Sequence, residues 1–269
     1  MLEVGAVLIA VLISYLLLPG LLKLLRDGNA VQNNYRGYEV VLGGGLLFVF
    51  VYLFVALWVI TLADQQLNLS LMLLLILGFS LVGLVDDLLG KKGPRGYRGH
   101  FGALIKKKEI TSGFLKALWG AVIALYIALF LERDPISVFV NSSIIVLTAN
   151  SFNLLDRQPG RAIKVFVFFT GIFVFFTGGI ELLLLLPLLA SLIVYLPYEL
   201  SEEIMLGDTG ANSLGGALGL YTVLAFDTRL KAILIFFLFI FQLFCEKYSI
   251  SKLVEKNPFL YFFDKLGRQ

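Results

Sequence analysis

"LLLLLPLLASLIVYL", residues 182–196, decides the fold. A membrane-crossing strand in a β-barrel alternates apolar and polar side chains over about ten residues. This stretch has no charged side chain and no alternation, its only hydroxyls being those of Ser191 and Tyr195. In lipid its backbone groups have no water to bond to, so the segment is predicted to be a helix that satisfies them internally. Outward from it the same character recurs. Apolar stretches of the roughly 17 to 25 residues that cross a bilayer fall near 4–22, 41–62, 69–90, 113–131, 136–153, 163–179, 181–198, 211–226 and 230–246. The composition agrees: of 269 residues 59% are hydrophobic and only 15% charged, with a mean hydropathy of +0.90, outside the range of soluble domains. The expected fold is an all-α polytopic membrane protein of about nine transmembrane helices.

The first apolar segment begins MLEVG and carries its cations, Lys23 and Arg26, behind it. A signal peptide has them in front, so the segment is expected to be a retained helix with its N-terminus outside. Followed from there, all of the 22 Lys and Arg except Arg133, Arg229 and Lys231 fall on the inner side. The positive-inside rule then places the C-terminus in the cytoplasm. The net charge of +3 is explained by this orientation, and no nucleic-acid partner is expected. A single cysteine, Cys245, excludes a disulfide within the chain. Short outer connections such as "LERDP" and "TGG" leave room for chemistry only on the other face, where the longer loops lie. No internal repeat or long polar linker divides the chain. It reads as one transmembrane domain, 1–246, and a cytoplasmic tail, 247–269. In that tail cations alternate with Leu253, Val254, Phe259, Leu260, Phe262 and Phe263 about Pro258, the pattern of an interfacial amphipathic helix.

The acids gather on the inner face. Asp86 and Asp87 end the third segment in "GLVDDLLG", Asp156 follows the fifth in "NSFNLLDRQPGRA", and Asp208 precedes the eighth in "LGDTGANSLGG". Any one of them could be a solvated helix cap. Adjacent like charges repel, however, and a divalent cation would relieve the Asp86–Asp87 pair. Oxygen ligands of this kind suit Mg²⁺ or Mn²⁺. Zinc is disfavoured, since the one histidine, His100, has no partner set; His100 reads as a packed loop residue. Glycines around Asp208, Gly207 among them, would let backbone N–H groups approach an anion at a helix start. With the cations Lys91, Lys116, Arg157 and Arg161 nearby, these groups suit phosphoryl transfer, which is mostly positioning and charge neutralisation. The residues alone reach metal-dependent phosphoryl transfer at a membrane surface.

The motifs "GLVDDLLG", "TSGFLK", "NSFNLLDRQPGRA" and "LGDTGANSLGG", in this order and with "NNYRGYEVVLGGG" before the second segment, resemble those of the polyprenyl-phosphate N-acetylhexosamine-1-phosphate transferase family. The resemblance covers most of the chain. It implies Mg²⁺-dependent transfer of a sugar 1-phosphate from a UDP-linked amino sugar to a polyprenyl phosphate, releasing UMP, in cell-envelope glycan synthesis at the inner membrane of a prokaryote. By motif, Asp86 and Asp87 match the family's paired aspartates, Asp86 as the group that activates the lipid phosphate. Asp208 matches a metal-binding aspartate, with Asp87 expected as the second metal ligand. Asn150, Asn153 and Asp156 match the nucleotide-side pattern, and Lys116 a phosphate-facing lysine. Arg157, Arg161, Gly207 and Asn212 complete the expected substrate contacts. The resemblance also implies a homodimer. Two features depart from the family. Pro159 stands where a second aspartate follows Asp156, and the tail has neither the family's histidine motif nor a tenth helix. They define a divergent subgroup and keep open an alternative, a relative that binds a lipid-linked or nucleotide ligand without turnover. A proton-relay transporter fits poorly, because its acids belong near the bilayer midplane.

Overall fold

The computed structural model describes residues 1–34, 36–62, 66–90, 111–179 and 181–268. The expectations for Lys91 and His100 lie outside the described residues. Helices occupy every apolar stretch: α1 Leu2–Asp27, α2 Leu46–Ile60, α3 Gln66–Leu89, α4 Ser112–Leu131, α5 Pro135–Leu155, α6 Arg161–Thr177, α7 Leu186–Leu200 preceded by a 3-10 turn at Leu182–Leu184, α8 Gly207–Ala225 and α9 Thr228–Lys247. Among the described residues six segments are long and apolar enough to cross a membrane: α1, α3, α4, α5, α9 and the Leu182–Leu200 unit that contains α7. α2 has 15 residues and α6 has 17, both short for a span, and α8 is diluted by glycine and polar residues. The molecule is a multi-pass helical membrane protein.

Burial sorts the helices by position. α8 is buried continuously from Thr209 to Val223 and forms the centre. It packs chiefly on α3 and α5, with α4 closing over those two and α9 lying outside α5. α1, α2 and α7 make the other side of the bundle. α1 shows why the outer helices tolerate lipid: Ala6, Ala10, Ser14, Leu18, Leu21 and Leu25 form one buried stripe at helical spacing, while Val4, Leu8 and Leu12 face outward. In α9 only Lys231 and Gln242 are buried. Small residues set the closest crossing: a Cβ built at Gly83 of α3 would stand 2.5 Å from the Asp208 carbonyl oxygen, so glycine there lets the end of α3 reach the start of α8.

One feature was not expected from the apolar pattern. The connection from α1 to α2 forms a two-stranded antiparallel hairpin, β1 Val31–Asn33 with β2 Glu39–Val41, in the register Val31 opposite Val41. Val41 also bridges Ile204 in parallel, its carbonyl accepting the Met205 N–H at 2.8 Å. Glu202 accepts hydrogen bonds from Asn34 and pairs with Arg36 at 3.2 Å. The hairpin thus grips the segment that leads into α8, and so fixes where Asp208 emerges.

Past α9 the tail forms two short helices, α10 Ile250–Lys256 and α11 Pro258–Lys265. Asn257 caps the second, its side-chain oxygen accepting the N–H groups of Phe259 and Leu260, with Pro258 at the first helical position.

Candidate active site

Four of the expected residues meet where α3, α4 and α8 converge. Lys116 lies near the start of α4, whose first turn is capped by Thr111: its hydroxyl accepts the Phe114 N–H at 3.2 Å. From there its ammonium reaches Asp86 Oδ2 at 2.8 Å and also Asp208 Oδ2. One cation therefore joins carboxylates from two helices, Asp86 of α3 and Asp208 of α8. All three side chains are about four-fifths buried, between 17% and 20% exposed, so this pairing is less weakened by water than a surface ion pair.

Asp87, adjacent in sequence, does something else. Its Oδ1 accepts the Asp208 N–H at 2.9 Å, and its Oδ2 accepts the Thr209 N–H at 3.0 Å and the Thr209 hydroxyl at 2.6 Å. The first turn of a helix leaves N–H groups unpaired, and the residue before α8, Leu206, offers no side-chain acceptor. Asp87 supplies the cap from another helix, and its negative charge suits the positive end of the α8 dipole. Gly207 is required for this approach. Its φ is +61°, and a Cβ there would lie 2.6 Å from Asp87 Oδ2. Behind the cap, the Ser80 and Ser213 hydroxyls bond at 2.6 Å, and Ser213 donates to the Thr209 carbonyl at 2.7 Å. Asn212 turns back onto α8, donating to the Asp208 carbonyl at 2.7 Å.

Asp156 ends α5 at the same end of the bundle. Burial, then the charges of Glu199, Asp208 and Asp87, push its carboxyl well above the ordinary carboxylate range, against a smaller opposing pull from Arg157. Asp156, Arg157, Gln158, Pro159, Glu199 and Met205 are among the residues that line a cavity of about 30 Å³. That holds one or two waters and no nucleotide. The other motif residues are more dispersed. Asn150 donates to Gln242 of α9, which in turn donates to the Leu147 carbonyl and to Ser151, each at 3.0 Å. Asn153, one turn closer to Asp156, is half-buried. Arg157 is exposed.

Arg161 is not open to a substrate. It is 5% exposed and clasped by the tail: Nε and Nη2 donate to the two oxygens of Asp264 at 2.7 and 2.9 Å, and Nη1 donates to Ser251 at 3.0 Å. Arg268 extends the clasp, donating to the Pro159 carbonyl at 2.8 Å and to Gln158 at 3.2 Å. Lys164 donates to the carbonyls of Phe263 and Asp264 at 3.1 and 2.8 Å. Burial acts to raise the Asp264 carboxyl, but the hydrogen bond and charge of Arg161, with those of Arg268, outweigh it and hold its pKa below the usual value.

Sequence reasoning passed over several of these groups. Glu199, 2% exposed, accepts the Gly160 N–H at 2.7 Å and so pins the turn after Asp156. Its signal was an acid at the end of an otherwise apolar run. Gln242 carried a comparable one, an amide inside the ninth apolar segment toward its C-terminal end, where polar side chains are rare and purposeful. The partnership of Asp264 with Arg161 spans 103 residues and had no local signature.

A divalent cation needs hard oxygen donors, and three carboxylates stand at this helix junction. Among the described residues, however, no three His, Cys, Asp or Glu side chains are placed to hold a metal ion by themselves. Lys116 takes Oδ2 of both Asp86 and Asp208, and Asp87 spends both oxygens on α8. The donor set would suit a Mg²⁺-type ion held by one or two carboxylates together with substrate phosphate oxygens; Asp208 and Asp86 could supply them, whereas Asp87, expected beside Asp208 as a metal ligand, has both oxygens engaged by the start of α8. It does not fit a cage made by protein alone.

A multi-pass helical bundle with two carboxylates and a lysine joined at one helix end is the class that this fold and site define. Within it, the chain is similar to proteins named phospho-N-acetylmuramoyl-pentapeptide-transferase over most of its length. It is 28% identical over 262 residues to the phospho-N-acetylmuramoyl-pentapeptide-transferase of Petrotoga mobilis, covering 87% of this chain and 76% of that protein. The corresponding proteins of Staphylococcus epidermidis and Staphylococcus saprophyticus are 23% and 24% identical, covering 94% and 97% of this chain and 86% and 90% of their own length. No protein-family model matches the chain.

Proposed function

We propose that the protein transfers a sugar 1-phosphate, an N-acetylhexosamine 1-phosphate by resemblance, from a UDP-sugar to a polyprenyl phosphate such as undecaprenyl phosphate. The reaction takes place at the cytoplasmic face of a prokaryotic plasma membrane and serves cell-envelope glycan synthesis. The observation that carries this reading is the Asp86–Lys116–Asp208 junction, set at one end of a bundle whose curated relatives are named as transferases of a phospho-sugar.

In this reaction an oxygen of the lipid phosphate attacks the β-phosphorus of the UDP-sugar. A new P–O bond forms, the bond from the β-phosphorus to the bridging oxygen breaks, and UMP leaves with that oxygen. Lys116 has the charge and position to meet phosphate oxygens as they arrive and to keep Asp86 and Asp208 oriented while none is present. Asp86, at the lipid-proximal end of α3, keeps the lipid phosphate deprotonated. Mg²⁺ or Mn²⁺, held by Asp208 and Asp86, would supply neutralisation of the diphosphate charge. Asp156 and Arg157, with Asn153, face the nucleotide. Asp87 and Gly207 act earlier than chemistry, by holding the α8 start where Asp208 and its N–H neighbours belong.

Purified protein with Mg²⁺, undecaprenyl phosphate and a panel of UDP-amino sugars is expected to release UMP from at least one donor. Well-folded protein that releases none from any donor overturns the reading. A second reading, ligand binding without turnover, is favoured by the burial of Arg161 under Asp264 and by Pro159. Saturable UDP-sugar binding with no UMP release selects it.

A further inference from the structure

The tail helices α10 and α11 have two different faces. The inward one is polar and fully engaged, through Asp264 with Arg161 and Arg268, and through the carbonyls that Lys164 holds. The outward one carries Leu253, Leu260 and a group of phenylalanines, with Phe259 at 69% and Phe262 at 61% exposed. Phe259 and Phe262 each pack edge-on against Phe263, at 4.8 and 5.6 Å between ring centres. A contiguous apolar patch of this kind marks an interaction surface. Lys252, Lys256 and Lys265 are exposed on the same two helices, with the Lys265 ammonium 4.7 Å from the Tyr261 ring centre. The tail follows directly on α9, a membrane-length helix whose Phe236, Phe237 and Ile240 are exposed; at the junction the exposed Tyr248 packs on Phe244 at 5.0 Å between ring centres.

We propose that the aromatic face of α10 and α11 is seated in the bilayer interface on the side of the candidate site, that its partner is an anionic phospholipid surface, and that this seating steadies the Gln158–Lys164 segment through Asp264. Direct succession to the end of α9, a helix of membrane-crossing length, places the tail at a membrane boundary. Phenylalanine and leucine on one face with exposed lysines on the same helices is the make-up of helices that lie in the interfacial plane, and lysines there are drawn to anionic headgroups. A second copy is the poorer occupant, because a two-fold contact would bring these lysines against their own copies. The inference does not rest on the transferase reading.

The test uses full-length protein in vesicles, with Trp58→Phe and Trp119→Phe removing native tryptophans and Phe262→Trp reporting the tail. Lipids brominated on shallow acyl carbons are expected to quench this tryptophan several-fold, and equally at high dilution of protein in lipid. Emission typical of water and unquenched, or protection that disappears on dilution as for a self-association surface, overturns the proposal. Phe259→Trp provides a second probe should Phe262→Trp fold poorly. Changing Lys252, Lys256 and Lys265 together to Gln is expected to abolish any difference in quenching between anionic and zwitterionic vesicles; a difference that persists contradicts the charge assignment. Asp264→Asn is expected to leave the quenching in place while hydrogen exchange across 158–164 speeds up about tenfold or more. Unchanged exchange there contradicts the coupling of tail to segment.

Discussion

Asp86 and Asp87 are neighbours with separate tasks, and substitution should separate them. Asp87→Asn puts an amide among N–H donors that need an acceptor. Hydrogen bonds to a charged group contribute about 1.5–3 kcal/mol each, so a loss of roughly that size in stability is expected, read as a lowered unfolding midpoint in detergent. Asp86→Asn removes one partner of Lys116 and no cap. Its unfolding midpoint is expected to fall less than that of Asp87→Asn, because Asp208 still pairs Lys116, while activity is lost, and an equal loss of stability in the two variants contradicts the division. Gly207→Ala adds a methyl group 2.6 Å from Asp87 Oδ2 at a φ of +61°. The backbone term alone costs about 1–2 kcal/mol, so this variant should behave like Asp87→Asn. The sequence made the paired aspartates conspicuous, since two like charges at the end of an apolar run ask for a reason. It could not say which of them turned to the lysine and which to α8. That depends on how α3 is rotated against α8, and close packing at Gly83 settles it.

At the scale of elements, the helices were legible because a continuous apolar run of membrane length has few other solutions. The hairpin was not: Val31–Asn33 and Glu39–Val41 are three-residue strands, too short for alternation to be detected, and Val41 also pairs with Ile204 far along the chain. Nor was the clasp, whose partners come from the turn after α5 and the tail. The clasp has a pH signature. The Asp264 carboxyl is held below its usual value, so the contribution is complete above the unfolded-state pKa near ~3.9 and is lost as pH falls through the lower folded-state value. The difference in unfolding midpoint between wild type and Asp264→Asn should be full at pH 6 and vanish in strong acid; a difference independent of pH contradicts the assignment. Asp156 has the opposite sign. Its carboxyl is pushed up, so the fold loses stability as pH rises from the ordinary carboxylate pKa through the folded value. Asp156→Asn is therefore expected to raise the unfolding midpoint of ligand-free protein at neutral pH while lowering activity, the trade expected of a strained functional acid. A lowered midpoint contradicts the charge crowding described for it.

For the molecule as a whole, the distribution of Lys and Arg predicts that the Asp86 end faces the cytoplasm. With Cys245→Ser as background, a cysteine at Lys252 should react with an impermeant maleimide only after cells are opened; labelling of intact cells reverses the orientation. The central claim concerns a bond. If UDP-sugar carrying a labelled β-phosphate is given with undecaprenyl phosphate, the label should pass into the solvent-extractable lipid in step with UMP release, and neither should occur with Asp208→Asn. Label that stays with the nucleotide, or UMP released without labelled lipid, contradicts transfer at the Asp86–Lys116–Asp208 junction.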